Sequence, residues 1–93
     1  MTITTLIKIH DLLKEDVRIR EAEKNMVAER AKTRRGELNA VIKRRIEEKA
    51  NYHEFETRLE EEEERFGKMK ADTLNALMES RQALEDFEAH DWR

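Results

Sequence analysis

Ala50-Asn51-Tyr52-His53-Glu54 stands near the middle of the chain, and its reading decides the fold. Asn51 followed three residues later by Glu54 has the spacing of a capping box, in which each side chain answers a backbone N–H at the start of a new helix. On both sides of this stretch the apolar residues recur with a seven-residue pattern. Positions leaving remainder 3 or 6 on division by seven hold Ile3, Leu6, Leu13, Val17, Val27, Ala31, Leu38, Val41, Tyr52, Phe55, Leu59, Phe66, Met69, Ala76, Ala83 and Phe87. That is sixteen apolar residues in 26 positions, against 19 in the other 67, which is the a/d spacing of packed helices. Arg20, Lys24, Arg34, Arg45, Glu48 and Glu62 interrupt the stripe, whereas Ile7, Ile42, Leu77 and Leu84 lie beside it and widen it. A seam with so many charges suits a small helix bundle better than a tight two-stranded coiled coil.

A second place to turn is Lys32-Thr33-Arg34-Arg35-Gly36, where basic residues before a glycine form a C-cap signature. Charge decides between the two. Folding at residue 51 sets Glu60–Glu64 opposite residues 38–42, flanked by Arg34, Arg35, Lys43, Arg44 and Arg45. Folding at Gly36 sets the same run against residues 8–12, which hold one Lys and one Asp. The expectation is therefore an all-α, long antiparallel helical hairpin, coiled-coil-like. Its helices span about residues 3–49 and 52–90, the turn lies near 50–52, and the whole of 1–93 is one helical domain. Gly36 then sits inside the first arm at a cost of about 1 kcal/mol. A break at Gly36 as well would give three helices.

Composition agrees. The 93 residues are 44% charged, with no Pro, no Cys and two Gly, which excludes turn-rich β architectures, disulfide scaffolds, Cys-ligated zinc and a cysteine nucleophile. Only 35 residues are hydrophobic and nine of those are Ala, a thin supply for a core, so assembly into a multi-helix homo-oligomer is expected, a dimer first. Residues 1–50 carry 13 Lys/Arg against 9 Asp/Glu, and residues 51–93 carry 6 against 13, so the two halves attract. The opening decapeptide lacks a basic leader region, and nothing approaches a spanning run of apolar residues. The expected location is the cytoplasm, with no membrane partner.

Chemistry-bearing motifs are sparse. His10, His53 and His90 lie far apart, and His53-Glu54 is followed at position 57 by Thr where a zinc-protease helix needs His. Ser80 is the lone serine and sits in no nucleophile elbow, and no Gly-rich phosphate loop exists. The reading is a protein that is not an enzyme, with no cofactor, no metal and no catalytic residue. Two surfaces stand out instead. The basic residues Arg30, Lys32, Arg34, Arg35, Lys43, Arg44 and Arg45 could meet phosphates or an acidic partner, but pairing with Glu60–Glu64 is the simpler account. No aromatic residues interleave them for base stacking, so nucleic acid is the lesser alternative. The apolar set Ile3, Leu6, Ile7, Leu13, Val17, Phe55, Leu59, Phe66, Phe87 and Trp92 is the expected protein-interaction surface. The opening aliphatics cover more than one helix face, which calls for a partner subunit. A regulatory coiled coil that captures one helix of another protein is a further alternative.

The opening Met1-Thr2-Ile3-Thr4-Thr5-Leu6-Ile7-Lys8-Ile9-His10-Asp11-Leu12-Leu13-Lys14 resembles the start of small uncharacterised proteins encoded by bacterial phages and prophages. The close Gln82-Ala83-Leu84-Glu85-Asp86-Phe87-Glu88-Ala89-His90-Asp91-Trp92 resembles their ends. The likeness covers the two ends and not residues 18–70. It implies a short helical hairpin in a phage-associated setting, a phage or host protein as partner, and a virion-associated location if the chain is a phage structural component. It carries over no activity and no functional residue.

Overall fold

The computed structural model describes residues 2–92. Two helices make up the fold: α1, Ile3–Glu47, and α2, His53–Ala89, packed antiparallel as a hairpin. The molecule is a rod of 72 × 16 × 13 Å, about the length that 45 residues rising 1.5 Å each would give. No strand occurs among the described residues. The fold is the all-α hairpin that the heptad stripe and the Asn51 region imply, and α1 runs unbroken through Gly36.

Each end of α1 has a local cause. Thr2 caps the start, its hydroxyl accepting from the Thr5 N–H at 3.2 Å. At the other end Arg44 and Arg45 lie in the last turn, where the helix dipole favours cations. The helix then closes in a Schellman motif: the Lys49 N–H donates to the Ile46 carbonyl at 3.1 Å and the Ala50 N–H to Arg45 at 2.9 Å. Lys49 takes the left-handed conformation the motif needs, with φ of 57°.

That closure changes the expected cap. Tyr52, not Asn51, is the N-cap of α2, its carbonyl accepting from the Phe55 and Glu56 N–H groups at 3.0 and 3.1 Å. Asn51 Oδ1 accepts from the His53 N–H at 3.0 Å as a local turn. Glu54 pairs with Arg58 one turn on, at 3.3 Å, rather than reaching back to complete a box. Because the chain already reverses at Lys49, the Glu run meets α1 nearer its start than expected: Glu62 faces Arg34, not the 38–42 stretch.

The core is thin. Among the described residues the buried hydrophobic ones are Val27, Ala31, Leu38 and Leu77, and Leu77 alone is fully enclosed. Along α1 the inward positions follow the expected stripe, through Leu13, Val17, Val27, Ala31, Leu38 and Val41. Along α2 the stripe holds from Phe55 to Thr73; beyond it Ser80 and Phe87 keep their stripe positions, but Leu77 and Leu84 are more buried than the stripe residues Ala76 and Ala83 beside them. Leu77, Ser80, Leu84 and Phe87 turn inward, and Ala83 is exposed. An α-helix drifts about 20° per heptad against a 3.5-residue repeat, and α2 takes up that drift by changing which residue faces in. Leucines beside the stripe fill the gap better than the alanines on it.

Candidate interaction surfaces

The charges within the seam are mostly satisfied inside the hairpin. Arg34 Nε lies 3.6 Å from Glu62 across the helices, and Glu62 also accepts from Arg65 at 2.7 Å. Arg35 reaches Glu63 at 3.3 Å. Arg20 sits against Asp16 at 3.7 Å and Glu23 at 3.2 Å on its own helix. Arg45 lies over the Phe55 ring, 5.2 Å from its centre. Glu15 and Arg18 form a close pair on the exposed side of α1, and the guanidinium hydrogen bond holds the Glu15 carboxyl below its ordinary pKa.

The basic stretch therefore divides. Arg34 and Arg35 are engaged by Glu62 and Glu63, and Arg45 by Phe55. Arg30, Lys32, Lys43 and Arg44 are exposed, with no carboxylate at ion-pair distance among the described residues. At about 100° per residue, Arg30 and Arg44 share one side of α1 while Lys32 and Lys43 lie well round to the other. The free cations do not form one basic face.

The apolar set divides too. Phe55, Leu59, Phe66, Leu6, Leu13, Val17 and Phe87 are half-buried in the seam. Ile3 and Ile7 stand in solvent at 77% and 56% exposure, and Leu12 at 69%. Ile19, Met26, Ile46, Leu74, Met78 and Trp92 are exposed as well. Leu12, Ile19 and Met26 are spaced by seven along α1.

The open end of the hairpin is tied by aromatic contacts. His10 stacks on Phe87 with ring centres 5.6 Å apart, and Phe87 touches Trp92 at 4.8 Å. Trp92 Nε1 donates to the Phe87 carbonyl at 3.0 Å and its ring lies 4.3 Å from His90. His10 Nε2 is buried, 3.6 Å from Glu88 Oε2 and without a hydrogen-bond partner among the described residues. The two ends of the hairpin meet through His10 and Phe87. His10 occupies a stripe position, and that was the available signal.

A second contact that the sequence reading missed joins the helices in the open half of the rod. Ser80, buried in the α2 seam, donates its hydroxyl hydrogen to Asp16 Oδ2 at 2.5 Å. Its place between Leu77 and Leu84 was the clue. Among the described residues no three His, Asp or Glu side chains gather in a way that could hold a metal. No described helix is long and apolar enough to cross a membrane. Compared with protein-family models, curated proteins and solved structures, the chain finds no match.

Proposed function

We propose that this chain is a non-enzymatic structural or adaptor protein that works through helix–helix contacts, with its own copies first and then with a phage or host protein. The setting is phage- or prophage-associated, in the bacterial cytoplasm or the virion, as the likeness of the two chain ends implies. One observation carries the contact reading: among the described residues the hairpin buries four hydrophobic ones and leaves nine large ones exposed. Exposed aliphatics grouped on helices mark contact surfaces, and a core this small gains stability from assembly.

The nucleic-acid alternative draws on Arg30, Lys32, Lys43 and Arg44, which have no carboxylate at ion-pair distance among the described residues. Their spread round α1 favours the contact reading. Light scattering behind a sizing column, at low and high salt, tests it. The expected result is a salt-resistant multiple of 11.2 kDa. A mass of one chain at every concentration removes self-association.

A further inference from the structure

We infer that one side of the open half is a docking groove for a cationic amphipathic helix of another protein. This rests on the reading that the chain works through helix–helix contacts, and it concerns the partner other than its own copies. On α1, Leu12, Asp16, Ile19, Glu23 and Met26 each stand one residue before an inward-facing one. On α2 so do Asp72, Ala76, Glu79, Ala83 and Asp86. One residue is about 100° of helix, and in an antiparallel pair both sets turn to the same side of the hairpin. Asp16, Ala76, Glu79 and Ala83 do line one groove there, with Arg20 and Ser80 beneath them in the seam.

Spacing and charge select the occupant. Residues on each ridge alternate four and three apart, so a third helix with the same period can lie along both. Leu12, Ile19 and Met26 supply exposed apolar surface, and the two alanines let a helix backbone come close. The other five ridge residues are all acids, and the ridges hold no Lys or Arg. Arg20 answers Asp16 and Glu23 from the seam, at 3.7 and 3.2 Å. Asp72, Glu79 and Asp86 have no cation at ion-pair distance among the described residues. The opposite side, one residue after the seam, is balanced: Lys14, Arg18 and Arg81 stand there against Glu21, Glu85 and Glu88. An apolar helix face flanked by Lys or Arg therefore matches the groove and not the opposite side. The same acids repel an anionic lipid surface. Nearer the turn, Arg30 and Arg65 line the next groove with Met26, and Lys68 follows on that side. The acidic groove thus runs over residues 12–26 of α1, about 21 Å or four helical turns.

The probe is a synthetic helix of about 18 residues with Leu at heptad positions a and d and Lys at e and g. Its twin carries Glu in place of Lys. In a titration followed by amide NMR shifts, the Lys peptide is expected to bind with shifts centred on residues 12–26 and 72–86, and the Glu peptide to stay silent. Asp72→Lys with Glu79→Lys is expected to weaken binding about tenfold or more. Glu60→Lys with Glu85→Lys makes the same change in net charge away from the groove and is expected to weaken it less than about threefold. All four positions are exposed, so helical circular dichroism should not change. Equal weakening by the two pairs, equal binding of the Glu peptide, or shifts centred on another face overturns the groove. The mass measurement keeps the two readings apart. A wild-type oligomer that ignores the Lys peptide overturns the groove and leaves the contact reading standing. A monomer that binds it at the groove loses self-association and keeps the groove. A monomer that ignores it overturns both.

Discussion

The two halves of the rod are held in different ways. The half near the turn is closed by its own charges: Arg34 and Arg35 cross to Glu62 and Glu63, and three of the four buried hydrophobic residues, Val27, Ala31 and Leu38, lie on α1 there or at its border. The open half rests on Leu77, on the Ser80–Asp16 hydrogen bond and on the His10–Phe87–Trp92 stack, and it leaves Ile3, Ile7 and Leu12 in solvent. A closed half and a half with unspent apolar surface divide the labour. The first secures the hairpin, and the second is where the proposed partner would gain most by binding.

Leu77→Ala breaks the comparison most directly. Its side chain is the only fully enclosed one among the described residues, so truncation is expected to cost about 2–5 kcal/mol in urea unfolding. The open half should lose amide protection from hydrogen exchange before the turn half does. Ser80→Ala is expected to cost about 1 kcal/mol, because Asp16 loses its cross-helix donor but keeps Arg20 and solvent. A destabilisation like that of Leu77→Ala would mean that the polar contact, not the leucine, holds the open half. Gly36→Ala sharpens the contrast from the other side. A Cβ there would meet nothing within 4 Å, so the change is expected to stabilise by about 0.5–1 kcal/mol, read as a higher Tm. The smallest effect belongs to the Arg34–Glu62 pair. A double-mutant cycle with Arg34→Gln and Glu62→Gln is expected to give a coupling of about 0.5–1 kcal/mol that shrinks at high salt. Coupling unchanged by salt would contradict a turn half closed by screened charges.

How much of this was legible depended on the range of the signal. The heptad stripe is a property of each helix alone, so the all-α hairpin and the inward face of α1 could be read directly. The burial of Leu77 and Leu84 in α2 could not, because Ala76 and Ala83 satisfy the apolar pattern as well as Leu77 and Leu84 do. Only the volume of the gap between the helices chooses the leucines. The cap at Tyr52 was misread for a related reason. Asn51 and Glu54 have capping-box spacing, but where α1 stops is set by the Schellman closure around Lys49, a residue whose side chain gives no hint of a left-handed backbone. Of the site, the Arg34 and Arg35 pairings with the Glu run were anticipated in kind and displaced in register. The Ser80–Asp16 and His10–Phe87 contacts join residues more than sixty apart, and each depends on cross-helix alignment to within one residue.

The reversal at Lys49 has a consequence for proteolysis. Lys49 is exposed, outside both helices, and held in a backbone conformation unlike that of the helical lysines and arginines. Trypsin should nick the chain there first. The cut would leave every pairing between the helices in place, yet turn an internal contact into an encounter between two separate peptides. The linker's contribution is the high effective concentration it imposes, on the order of millimolar for short connections. Dilution of the nicked protein would reveal how much of the hairpin's persistence comes from the seam and how much from the tether.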